Sequence, residues 1–255
     1  MKKSIALLLS LALLFLNLPA AFAGSHSSTI SSIHSSFVSG NLSANSAPQQ
    51  IANGTYRCVE LLEVIAEEVG VSNSTIRDIH STYVSGNLRA NSAPQQTANG
   101  CYRMVELLEA IALRKGVQSS AVESIHSSFV SGNLRADSAP QQSANGLYRC
   151  VELLELIAVA YGADSSDVQS IHSSFVSGNL SANSAPQQEV NGAYRCVELL
   201  ELIAVRAGGS HSTVSDIHSS FVSGNLRADS APQQHANGIY RCVELLEVIA
   251  YALDR

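Results

Sequence analysis

The chain repeats itself, and that repetition limits its fold more than any other feature. The segment from Ile33 to Ala66 recurs from Ile79, Ile125, Ile171 and Ile217, each start lying 46 residues after the previous one. A fixed period of this size marks an array of stacked supersecondary units. The units are 26–71, 72–117, 118–163, 164–209 and 210–255, forming a single array over 24–255. Positions equivalent to His34, Gly40, Asn41, Pro48, Gln49, Gln50, Asn53, Gly54, Tyr56, Arg57, Glu60 and Glu63 keep one residue type in all five copies. The junctions drift, as Val71-Ser72-Asn73-Ser74-Thr75 does against Val117-Gln118-Ser119-Ser120-Ala121. Duplication alone would leave both stretches equally alike, so the shared segment is under constraint.

Each unit reads as a helical hairpin. Ile76, Ile79, His80, Tyr83, Val84 and Leu88 follow the spacing of one helical face. Polar residues ahead of this first helix, such as Asn73 and Ser74, suit its cap, and Gly86 marks its end or a bend. Pro94 suits the first turn of a second helix, where its missing N–H would be unpaired anyway. Val105, Leu107, Leu108, Ile111 and Ala112 make that helix apolar nearly all round, apart from a stripe of Arg103, Glu106 and Glu109. The Asn-Gly pair repeated from Asn53-Gly54 opposes a continuous second helix, because an interior glycine costs about 1 kcal/mol relative to alanine. The second helix therefore starts either near the proline or after the glycine.

No single hairpin can hide two such helices, so neighbours must stack. The expected fold is all-α: five helical hairpins in an α-solenoid, with a closed helical bundle as the alternative. The first copy keeps Ile30, Ile33, Phe37 and Val38, and the last keeps Val243, Leu245, Leu246, Ile249 and Ala250. Solenoids usually end in polar capping repeats. Two uncapped apolar ends predict head-to-tail association, which either closes into rings or extends into filaments.

Residues 1–23 read as a secretory signal: Lys2 and Lys3 precede the apolar run from Ile5 to Leu16, and Ala21-Phe22-Ala23 ends it. The product is expected to be exported, to the periplasm or beyond, with no transmembrane segment after cleavage. Without those two lysines the mature chain has 13 basic residues against 21 acidic ones, a net charge of −8. That balance disfavours nucleic acid as a partner. Five cysteines cannot all pair within one chain. Four share one register, at Cys58, Cys150, Cys196 and Cys242, where the second copy carries Met104. Exchange with methionine points to buried free thiols at an apolar packing site.

His34, His80, His126, His172 and His218 form a ladder. Stacked helices lie roughly 8–10 Å apart, too far for adjacent copies to share an ion at about 2 Å. Hydrogen bonding between units is therefore the expected role, with metal or haem binding a minor alternative. His34 and Ser35 are helical neighbours that diverge by about 100° and cannot form a nucleophile–base pair. No motif of a known catalytic type occurs, so no enzyme activity, cofactor or metal is expected.

The candidate binding residues are the repeated amides: Asn41, Gln49, Gln50 and Asn53, with Gln95 and Gln96, Gln141 and Gln142, Gln187 and Gln188, and Gln233 and Gln234. Each can donate and accept, either bridging units or lining a groove. Positions 51, 97, 143, 189 and 235 hold Ile, Thr, Ser, Glu and His, and positions 55, 101, 147, 193 and 239 hold Thr, Cys, Leu, Ala and Ile. These two variable sets lie on one helical face and suit either partner reading or drift at an exposed site. The expected function is an exported, non-catalytic scaffold that self-associates through its terminal repeats. The alternative is a monomeric solenoid binding a peptide or a cell-envelope glycan, so the expected partner is either another copy of the chain or an envelope or extracellular protein or glycan.

Overall fold

Each unit breaks into two helices at one extended serine. In the computed structural model, which describes residues 25–255, Ser46 has φ −152° and ψ 157°, and Pro48 falls in the first turn of the helix that follows. The same corner recurs at Ser92, Ser138, Ser184 and Ser230. The result is ten helices and no strand among the described residues. The shorter, outer helices are α1 (Ser27–Ser43), α3 (Asn73–Arg89), α5 (Ser119–Arg135), α7 (Ser165–Ser181) and α9 (His211–Arg227). The longer, inner helices are α2 (Ala47–Glu68), α4 (Ala93–Arg114), α6 (Ala139–Ala160), α8 (Ala185–Arg206) and α10 (Ala231–Leu253). The leader segment expected over 1–23 lies outside the described residues.

The links between units are Schellman turns. Gly70 sits at φ 85°, its N–H reaches Glu67 O, and Val71 N–H reaches Ala66 O. Glycine accepts that left-handed conformation without steric cost. Ser72 and Ser210 cap the next helix, accepting from Thr75 N–H and Thr213 N–H.

The inner helices build the core. Val59, Leu61, Leu62 and Ile65 of α2, and their equivalents in the other four, are at most 4 % exposed. Each inner helix packs on the inner helices of both neighbouring units, while each outer helix touches its own inner helix and, more lightly, the one before it. No extensive contact links one outer helix to another among the described residues.

The circuit of contacts has no free end. Helix α10 packs on α8 and, as extensively, on α2; α1 in turn touches α10. Three repeated contacts show that the closing junction keeps the common register. His80 meets Glu63, and His34 meets Glu247. The ring of Tyr83 lies 5.0 Å from that of Tyr56, and Phe37 lies 4.6 Å from Tyr240. Thr55 lies against Gly100, and Ile239 against Gly54. A superhelix that climbed along an axis could not match its last unit to its first in this way, so the five units lie in one plane. Asp254 Oδ1 accepts from His26 N–H at 2.9 Å, tying the end of α10 to the start of α1.

Two expectations need correction. The terminal apolar faces are not open to a second chain: Ile30, Phe37, Val243 and Leu245 are at most 1 % exposed because the two ends cover each other. Head-to-tail stacking thus loses its driving force. In addition, Gly86 neither ends nor breaks its helix, and the Asn-Gly pair sits within a continuous inner helix. The glycine allows close approach, since a Cβ on Gly146 would come 2.8 Å from Cys101 Cβ on the neighbouring inner helix.

Candidate functional site

The repeated amides serve mainly the hairpin itself. Asn53 Nδ2 donates to Phe37 O at 3.0 Å and to Asn41 Oδ1 at 3.1 Å, tying α2 to α1 inside one unit. Its side chain occupies the space left by Gly40, where a Cβ would fall 2.4 Å from Asn53 Oδ1. Gln49 Oε1 accepts from Asn45 N–H at 2.7 Å and so braces the corner before α2. Gln95, Gln141, Gln187 and Gln233 do the same for Asn91, Asp137, Asn183 and Asp229. Asn41 and Asn53 are thereby committed to internal bridges, within units rather than between them. Replacing the five corner glutamines by alanine should cost roughly 0.5–1 kcal/mol per site, as loss of a helix cap does. Urea unfolding would measure this, and binding should survive. Gln50, Gln96, Gln142, Gln188 and Gln234 have no partner for their side-chain amides among the described residues.

The histidine ladder joins the units. Nδ1 of His80, His126, His172 and His218 lies 3.0–3.1 Å from both carboxylate oxygens of Glu63, Glu109, Glu155 and Glu201 on the preceding inner helix. His34 pairs likewise with Glu247 at 3.1 Å. The Glu247 hydrogen bond raises the His34 pKa, while burial raises that of Glu63 and its equivalents. Beside this ladder, Arg57 pairs with Glu60 and lies over the Tyr56 ring, a pattern repeated through Arg241 and Glu244. Among the described residues, no group of three or more His, Cys, Asp or Glu side chains is placed to hold a metal ion.

The two variable sets turn out to be buried and to face the axis. Ile51, Thr97, Ser143, Glu189 and His235 are at most 9 % exposed, and Thr55, Cys101, Leu147, Ala193 and Ile239 at most 1 %. Ser143 Oγ donates to Ala139 O at 3.0 Å and lies near Glu189, whose Oε2 lies 3.7 Å from His235 Nδ1, so neighbours in the circuit meet in one layer. Cys101 lies near Glu189, and Cys58 near Cys196, although each pair belongs to units that are not adjacent. Five identical large side chains would collide on an axis, whereas a mixture of sizes fills it. Packing geometry therefore accounts for this variation better than partner reading or exposure.

The upper axial layer is polar. Burial pushes Glu189 up to about 7 and His235 down to about 4. His235 Nε2 has no partner among the described residues. Glu189 lies between Ser143 and His235, so no imidazole is placed to take a proton from the serine. Below this layer all five cysteines are free and buried, and burial raises their pKa values. The thiols are thus protonated and unreactive at neutral pH.

A second surface escaped the sequence reading. Ile76, Ile79 and Tyr83 turn inward, but His80, Val84 and Leu88 lie outside, so the apolar stripe read as one buried face splits. Leu88, Leu134, Leu180 and Leu226 are 83–85 % exposed and Leu42 is 64 % exposed, one at the end of each outer helix. They share one end of the molecule with the Gln50 series. The available signal was a leucine kept in every copy just where each first helix ends. No family model, curated protein or solved structure matches this chain.

Proposed function

We propose that this chain is an exported, non-catalytic scaffold: a closed ring of five 46-residue hairpins that binds its partner through the leucine-bearing rim. The observation that carries this reading is the exposure of Leu88, Leu134, Leu180 and Leu226 at 83–85 %. Internal packing and hydrogen bonding account for most other residues shared by all five copies, the Gln50 series at the same end of the molecule excepted. The asparagines tie the hairpins, the glutamine–corner bonds brace the turns, and the His–Glu pairs join the units. A leucine facing water in every copy has no such internal role, and burying one against a partner gains about 1.5–3 kcal/mol. Self-association through the chain ends is disfavoured because those ends already cover each other.

The reading against catalysis rests on the axis. Its thiols are buried and protonated, and its Ser, Glu and His stand in an order unsuited to nucleophile activation. The test changes Leu42, Leu88, Leu134, Leu180 and Leu226 to serine together. Capture of envelope components by the mature chain should be lost while the midpoint of thermal unfolding stays within a few degrees. A variant that unfolds would assign the leucines to stability and overturn the reading.

A further inference from the structure

We propose that the leucine rim seats the ring on an anionic lipid surface, an inference that rests on the rim being the binding face. Closure in a common register places the five units at one level, so the leucines ending their outer helices lie in one plane. The outer helices stand apart from one another, which makes these leucines separate projections rather than one continuous patch. A protein partner would have to supply five matching pockets. A lipid layer accepts a flat set of apolar projections with no side-chain matching.

Charge points the same way. Arg89, Arg135 and Arg227 each directly follow a rim leucine, are exposed, and form no ion pair among the described residues. The exposed acids at this level are Asp137 and Asp229, while Glu189 is buried in the axial layer. The rim thus carries three positive and two negative exposed side chains, within a mature chain bearing 13 basic and 21 acidic residues. The rest of the molecule is strongly acidic. An anionic surface therefore favours the rim over the more acidic remainder, so the ring lies flat with its leucines inserted. Arginines beside them reach lipid phosphates, which they can grip through two parallel N–H donors.

The test is flotation of the mature chain, residues 24–255, with vesicles of phosphatidylglycerol and phosphatidylcholine, against phosphatidylcholine alone. The chain should rise with the anionic vesicles. Changing Leu42, Leu88, Leu134, Leu180 and Leu226 to asparagine should weaken this at least tenfold with no change in thermal unfolding. Changing Arg89, Arg135 and Arg227 to glutamine, or adding salt, should weaken it several-fold. A folded wild-type chain that stays behind overturns the lipid assignment. If that chain instead dimerises in light scattering, and the leucine variant does not, the rim is a contact between copies and the scaffold reading stands. If the leucine variant unfolds, the rim reading and the lipid assignment fall together.

Discussion

Deleting residues 210–255 is expected to leave a chain that no longer folds as a monomer. The cut removes the interface of α10 with α8 and also that with α2, two of the five contacts that complete the circuit. Each unit turns the chain by one fifth of a circle, so four units leave a gap with two apolar faces. Phe37 and Gly54 on one side, which meet Tyr240 and Ile239, and Ala193 and Tyr194 on the other, which meet Gly238 and Phe221, would lose cover. At about 1.5–3 kcal/mol for each large apolar side chain, a handful of exposures matches a typical stability of about 5–15 kcal/mol. Circular dichroism should show lost helix, or size-exclusion chromatography should show aggregates. A control separates loss of closure from loss of chain. Joining Arg255 to His26 through a short linker, and opening new ends between Val117 and Gln118, should preserve the fold and nearly all its stability. The contact of His26 N–H with Asp254 at 2.9 Å shows that the ends already meet. A stable four-unit monomer would contradict the closed circuit.

The second large effect is expected at the axis, where Glu189→Gln should stabilise the protein at neutral pH. Burial raises Glu189 from its ordinary 4.5 to about 7, so its favourable share of stability is complete below pH 4.5 and is lost as pH rises to about 7. His235 runs the other way. Its pKa is lowered from 6.5 to about 4, so its share is present above 6.5 and is lost as pH falls to about 4. Between 4.5 and 6.5 the two slopes oppose, so the axial pair itself should contribute little net pH dependence. Each shift is worth about 3–4 kcal/mol. The Glu189→Gln variant should gain roughly that much above pH 7 and lose stability on acidification, while His235→Gln should show the reverse slope. Guanidinium unfolding from pH 4 to 8 checks both. Equal profiles for the two variants would show that the axial layer is open to water.

Much of this architecture was legible in the sequence, and what was not has a common physical origin. The period gave the units, Pro48 marked one of the two candidate starts for the inner helix, and the Val59, Leu61, Leu62 and Ile65 set gave its burial. Closure was not legible, because the angle between units depends on how closely inner helices approach. That distance is governed by Gly54, Gly100, Gly146, Gly192 and Gly238, which propensity reads only as a weakness in a helix. The binding residues were misjudged for a related reason. Amides such as Asn53 and Gln49 are alike in every copy because a repeated corner needs repeated hydrogen bonds. Leu88 hid within an apolar periodicity that seemed to explain it, and only a packed neighbour, or the lack of one, tells a core leucine from a projecting one.

The flat, sealed circuit also constrains how such a gene can change. Nearly identical tandem segments invite unequal recombination, which adds or removes whole modules, and an open array would tolerate either outcome by growing longer or shorter. Here a chain of four or six modules would have to alter the wedge angle at every contact at once, so copy number is held by geometry while the surface remains free to diverge.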